Sequence, residues 1–433
     1  MTPCRSSSPE RTSAPRLPSP PQRSPRVRSM QWWSPPLPVV LMAVVLVAAG
    51  CSSSAGTGAP GSGGDVQSTT GVAYESTGTG PMVKPTIPQT PSVPSDFGQL
   101  QCSPGAPLKT ADPAPTKRSC TRVFHLTASA FEQKIANFPV QDVMVWGYNN
   151  STPGPTLISY AGERVQIVLT DNLPVPTTVH PHGLHQPNTA DGVAGISQPD
   201  PVMPGQTHTY PSFVPGHTGT FAYHSHTDGP VQELRGLDGA WIVLPRAEHS
   251  SVHVNDDYMM TLQQFNPEAV MSGMPVANKL VNGTLDVPFP GGTGDFPLST
   301  VNGRTGDASG GPITIHKGDV VRIRIYNASQ NSHSMHLHGH DEVLVAKNGH
   351  AVPPVRETTQ DVAPGDFFTI DFKADNPGNW IFHCHFPHHT ANAKESGYNG
   401  APVGMTRIFH YAGSAPVPVQ YFTYQGQSSM PAP

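Results

Sequence analysis

Positive charge, helical periodicity and long apolar runs are all scarce in this chain of 433 residues. From residue 51 onward there are 19 Lys and Arg against 29 Asp and Glu, a net charge of about −10, which argues against nucleic acid as a partner. The conspicuous apolar run, Pro38 to Gly50, has 13 residues and is too short to span a bilayer easily. Few stretches carry apolar residues at helical spacing, whereas short alternating runs are many, and 50 Pro and 42 Gly punctuate them. That pattern predicts all-β sandwich domains with long connections. The clearest expected strands are Val143 to Trp146, Val165 to Leu169, Trp241 to Leu244, Val321 to Ile325 and Phe367 to Phe372, with one short helix over Ser129 to Asn137.

The N-terminal region stands apart from these domains. Residues 1 to 29 are rich in Arg, Ser and Pro, and the apolar run that follows ends Ala48-Ala49-Gly50-Cys51, which together have the layout of an export signal, residues 1–50. Its final cysteine resembles that of a bacterial lipobox. The resemblance implies cleavage before Cys51, acylation of its sulfur and a membrane lipoprotein facing outside the cytoplasm; the alternative is a plain signal with an incidental cysteine. A start at Met30 would leave the signal with little positive charge. Residues 51–100, loaded with Gly, Ser, Thr and Pro, read as a flexible tether. Cys4 falls in the removed segment, so Cys102 and Cys120 are left as a pair that an oxidising compartment would let bridge, or as two free thiols.

The fifth cysteine lies in His383-Cys384-His385, with His389 four residues further on. On a strand, residues i and i+2 share one face and i+1 takes the other, so His383 and His385 point together while Cys384 points away. One short segment can therefore serve two metal centres, and thiolate plus imidazole suits an electron-transfer copper. Three further clusters occur: His180-Pro-His182, His224-Ser-His226 and His333-Ser-Met-His336-Leu-His338. Each H-x-H pair can project two imidazoles from one face. Structural zinc closes with four N or S ligands, whereas eight imidazoles plus a separate Cys/His set suit a multinuclear redox centre, so copper is preferred.

The ordered set H-x-H-G, H-x-H, H-x-x-H-x-H and H-C-H-x-x-x-H resembles that of the multicopper oxidases, the laccase-like family, over about residues 120 to 412. The resemblance implies two cupredoxin-like Greek-key β-sandwich domains, 101–247 and 248–415, with a C-terminal tail over 416–433. It implies four coppers per catalytic unit: type 2 on His180 and His336, a type 3 pair on His182, His224, His226, His338, His383 and His385, and type 1 on His333, Cys384 and His389. Met405 would be the weak axial ligand of type 1, although Thr390 to Val403 intervene. Either that loop bulges and Met405 still arrives, or the axial position is empty or differently filled. Asp191, eleven residues after His180, matches an outer-shell carboxylate that would relay protons near type 2 copper; the alternative is a solvated Asp-Gly turn. The implied activity is one-electron oxidation of a phenol, an aromatic amine or a metal ion, coupled to reduction of dioxygen to water, with His333 or His389 as the exposed edge that receives electrons.

An internal repeat points the same way without any family. Gly162-Glu-Arg-Val-Gln-Ile-Val-Leu and Gly318-Asp-Val-Val-Arg-Ile-Arg-Ile both alternate, and His180 and His336 each follow their glycine by 18 residues. Pro204-Gly205 precedes Gly219-Thr-Phe-Ala-Tyr-His224-Ser225-His226 much as Pro364-Gly365 precedes Gly378-Asn-Trp-Ile-Phe-His383-Cys384-His385. Ser225 stands where Cys384 stands, so the first copy is expected to hold no type 1 copper. No third domain fits between His226 and His333, which resembles the two-domain small laccases and implies a homotrimer with clusters between subunits. Two other readings compete. A copper-containing nitrite reductase needs far fewer histidines, and a non-enzymatic copper carrier needs abundant Met or Cys, whereas Met259, Met260, Met271 and Met274 form only a loose group.

Overall fold

The computed structural model describes residues 82–417 except 106, 110, 137–140, 250–252, 266–278, 282–283, 287–297 and 392–403. The signal, Cys51 and most of the tether lie outside the described residues, as do Asn137, Met271, Met274, most of the Thr390–Val403 loop and the tail from 418 onward.

Two β-sandwiches follow one another in the chain. In the first, one sheet has the order Ser95–Asp96, Gly154–Tyr160, Asp238–Leu244, Gly219–His224, His180–His182; the facing sheet runs Gln99–Ser103, Ser119–Ala136, Arg164–Asp171, Thr207–Thr209. Side chains from both sheets, among them Phe124, Leu126, Ile167, Leu157, Phe221 and Trp241, form its core. The second sandwich stacks a sheet ordered Leu298–Val301, Asp256–Phe265, Val320–Asn327, Phe367–Lys373, Glu342–Lys347, His350–Glu357 on one ordered Ile313–Ile315, Thr406–Tyr411, Asn379–Cys384, His333–Leu337, Thr359–Val362. Its core includes Ile323, Ile370, Met335, Leu337, Phe382 and Phe409.

A third apolar cluster joins the two sandwiches. Ile158, Ala222, Ala240 and Ile242 on the outer face of the first sheet pack with Met259, Tyr326 and Phe367 of the second sandwich. Strands Gly154–Tyr160 and Asp238–Leu244 are consequently buried at every residue. This explains why Trp241-Ile-Val-Leu reads as a continuous apolar run rather than an alternating one, since both of its faces leave water. Each fully buried large side chain contributes about 1.5–3 kcal/mol, so this sheet is a stable platform for the histidines at its edge.

The repeat seen in the sequence is a repeat of hydrogen-bonding register. His180 pairs with His224 across antiparallel strands in the first sandwich, and His336 pairs with His383 in the second. The Pro-Gly turns also match, with φ of +79° at both Gly205 and Gly365, a left-handed conformation that favours glycine. All five expected strands are present. The expected helix over Ser129 to Asn137 is not: residues up to Ala136 belong to the long strand Ser119–Ala136, paired antiparallel with Gln141–Tyr148. Non-local pairing overrides local helical preference here. The buried Gln133 amide donates to the carbonyls of Thr152 and Gly303, which a helix would forfeit.

Candidate metal centres

In the edge strand His180–His182, Pro181 turns into the core and both imidazoles face outward on one side. Pairing with Gly219–His224 brings His224 alongside, and His226 follows just beyond the strand. The His180 ring lies 5.2 Å from that of His224 and 5.4 Å from that of His226. Ligand nitrogens of His180, His182 and His224 all fall within 4.8 Å of one another. These four histidines and Glu233 line a cavity of ≈ 290 Å³ whose far wall comes from the stretch 326–330 of the second sandwich.

The second quartet forms where His336 and His338 leave one strand and His383 and His385 the neighbouring one. Ring centroids are 4.9 Å apart for His336 and His338, 5.1 Å for His338 and His383, and 5.7 Å for His336 and His385. His338 and His385 are exposed. Among the described residues, no ring of this quartet is in contact with a ring of the first.

The alternation of the same strands produces a third group on the buried face. In His333–Leu337, His333, Met335 and Leu337 point inward, and in the adjacent strand Cys384 points inward while His383 does not. Cys384 Sγ lies 3.3 Å from His389 Nδ1 and 3.7 Å from His333 Nδ1. All three residues are buried. His389 is supplied by a short helix, Pro387–Ala391. Met405 is fully buried in the same apolar cluster as Cys384. Its N–H donates to His389 O at 2.9 Å and its carbonyl accepts from Cys384 N–H at 3.1 Å, so its backbone abuts both residues. Neither His333, 0 % exposed, nor His389, 3 % exposed, is the exposed edge expected from the sequence. The exposed side chains there are Phe386 and His388, whose rings flank that of His389 at 5.3 and 4.2 Å.

The protonation chemistry favours metal ligation. Burial, aided by neighbouring histidines, pushes His182 down to about 4 and His333 to about 3, and burial beside His388 takes His389 to about 4. These imidazoles are neutral at pH 7 and offer lone pairs. Burial pushes the Cys384 thiol up to about 11, so a thiolate there needs a bound cation to offset its charge. Three nitrogen pairs converge: His182 Nδ1 with His224 Nε2 at 3.1 Å, His338 Nε2 with His383 Nε2 at 3.0 Å, and His333 Nδ1 with His389 Nδ1 at 3.1 Å. Such spacings are close to those between ligands on an ion with bonds of about 2.0 Å. The residues present therefore fit copper.

Neighbouring groups fix which ring nitrogen is free. His180 Nδ1–H donates to Asp191 O at 2.8 Å, with the Asp191 carboxylate 3.3 Å away. His224 and His383 donate from Nδ1 to the carbonyl of the following residue, Ser225 and Cys384, at 2.9 and 2.8 Å. Three contributors escape sequence reasoning. Glu233 Oε1 sits 3.2 Å from His224 Nδ1, Ser329 Oγ sits 2.6 Å from His333 Nε2, and Gln232 holds the Ser225 hydroxyl. None belongs to a motif.

Comparison with known proteins agrees with this geometry. Two family models, both described as multicopper oxidase, match residues 131–248 and 273–393. A laccase of Trametes hirsuta is 31% identical over 271 residues, covering 59% of this chain and 48% of the relative. A solved multicopper oxidase, mgLAC, is 31% identical with a TM-score of 0.59, covering 69% of this chain and 88% of that one. The blue copper oxidase of Nitrosomonas europaea is 27% identical with a TM-score of 0.58, covering 67% and 86%. The chain spans less than half the length of the first curated relatives it matches. With both sandwiches matched and the histidine sets in place, the chain belongs to the multicopper oxidase family and is laccase-like within it.

Proposed function

We propose that the chain is an oxidase that takes single electrons from a small phenolic, aromatic amine or metal-ion donor and delivers them to dioxygen. The observation that carries this reading is the two-faced segment His383-Cys384-His385. Its sulfur lies in a buried His333–Cys384–His389 triangle while its imidazoles lie in the outward quartet. Copper held by these residues would supply one-electron oxidation of the donor and four-electron reduction of dioxygen to water. His333, Cys384 and His389 would hold the type 1 ion, and Met405, whose backbone bonds to both His389 and Cys384, would be a weak further ligand. His180 and His336 would hold type 2, and His182, His224, His226, His338, His383 and His385 the type 3 pair.

The residues divide the work. Cys384 is bonded through the backbone to both His383 and His385, which gives electrons a short covalent route between the two faces. Asp191 orients His180 and, with its carboxylate beside that ring, can pass protons toward the site of oxygen reduction. Phe386 and His388 form the outer surface beside His389, where a donor can approach.

The separation of the two quartets supports assembly as a homotrimer. Each eight-histidine cluster would combine the first quartet of one subunit with the second quartet of its neighbour, a heterologous contact that closes into a ring. Export and a lipid on Cys51 complete the proposal, and the Cys102–Cys120 disulfide suits an oxidising compartment. Oxygen uptake by the copper-loaded protein tests the activity, with four one-electron donors consumed per dioxygen. Reduction of nitrite in place of oxygen, or no uptake with any of the three donor classes, would overturn it.

A further inference from the structure

The first sandwich keeps the frame of the buried Cys384 triangle but fills it with an amide. Three matched backbone relations establish the correspondence. His333 pairs with Val362, two residues before Pro364-Gly365, and Thr177 bridges Val202, two residues before Pro204-Gly205. Cys384 N–H donates to Met405 O, and Ser225 N–H donates to Leu237 O. Met405 N–H donates to His389 O, and Leu237 N–H donates to Gln232 O. Thr177, Ser225, Gln232 and Leu237 therefore occupy the places of His333, Cys384, His389 and Met405.

Their side chains close a triangle as well. Gln232 Oε1 accepts from Ser225 Oγ–H at 2.5 Å and from Thr177 Oγ1–H at 2.7 Å, and the two hydroxyl oxygens are 3.2 Å apart. Gln232 Nε2 donates to Pro176 O at 2.9 Å. All three residues are buried, with 1 % exposure or less. The next helix residue, Glu233, reaches the opposite side of the segment and meets His224 Nδ1. The helix Gly229–Leu234 thus grips His224-Ser225-His226 from both faces.

We propose that Gln232 is a positioning residue for the copper cluster: its amide, standing where the second sandwich has a metal-ligand set, ties Ser225 to Thr177 and holds His224 and His226 in ligating geometry. The proposal rests on the multicopper reading above. It makes the first quartet rigid without a type 1 ion in the triangle behind it.

The test uses full-length copper-loaded protein and the variants Gln232→Met, Ser225→Ala and the two combined. Gln232→Met keeps the volume and removes the shared acceptor. Its cluster copper, followed by metal analysis during competition with a chelator, should bind about 10- to 100-fold more weakly. The blue type 1 absorption, which depends on the other sandwich, should stay at wild-type intensity. Because the three groups form one unit, the double variant should lose no more than the worse single. Cluster affinity equal to wild type in Gln232→Met would overturn the proposal. So would parallel loss of the blue band, which would mark a general folding role, or additive losses in the double variant. A wild-type protein that never loads cluster copper would instead defeat the underlying functional reading before any variant is made.

Discussion

Asp238 should make the copper-free protein less stable as pH rises through the acid range. It faces His224 across the strand pair and is buried. One carboxylate oxygen accepts from Gln263 Nε2 at 2.7 Å, and among the described residues the other has no hydrogen-bond partner. Burial pushes its carboxyl up from 3.8 to about 7, with the Gln263 donor opposing only part of that. Between those two values the unfolded chain releases the proton while the folded chain keeps it. The Asp238 contribution to stability therefore falls with rising pH, by about 1.4 kcal/mol per unit and on the order of 4 kcal/mol across the window, then levels off above it. Asp238→Asn keeps an acceptor for Gln263 and carries no titrating proton, so it should lack this slope. Urea unfolding of copper-free wild type and variant at several pH values between 4 and 7 reads the difference directly. Parallel pH profiles for the two proteins would refute the reasoning.

Three further outcomes follow from other parts of the structure. Cys384→Ser should abolish the blue absorption and turnover while the histidine cluster still takes up copper; a variant that stays blue would show that the thiolate lies elsewhere. Gly192→Ala should lose type 2 copper and about 2 kcal/mol of stability, because the new Cβ would sit 1.9 Å from Val179 O at φ +76°, beside His180 and Asp191; an unchanged type 2 paramagnetic signal would contradict this. Replacing Cys102 and Cys120 by Ala opens a link of sequence separation 18 and should cost about 3 kcal/mol without altering the blue band. An unmoved denaturation midpoint would show that the bridge adds nothing.

The histidine clusters were legible in the sequence because strand alternation is a local rule: H-x-H places two rings on one face wherever the segment is extended. The fold class and the five strands follow from the same periodicity. Ser129 to Ala136 misled because its Ala, Glu, Gln and Lys residues favour helix locally, whereas the pairing with Gln141–Tyr148 and the Gln133 contacts come from distant parts of the chain. Cys102 and Cys120 could be counted but not joined until their strands were in register. Met405 was uncertain for the same reason, since only its backbone bonds to His389 and Cys384 return it to the triangle across a long loop. Gln232 and Glu233 carry no motif at all. Their importance lies in which groups of His224 and Ser225 they reach, which spacing along the chain does not encode.

Subunit complementation tests most directly the claim that each cluster is built from the first quartet of one subunit and the second quartet of another. Two inactive proteins, one His182→Ala and one His338→Ala, are dissociated, mixed and reassociated, and oxygen uptake is measured once subunit exchange is verified. Mixed rings place an intact first quartet beside an intact second quartet at some junctions, so activity should return. If exchange occurs and no activity returns, each cluster is built within a single chain, and the shared-site trimer is wrong.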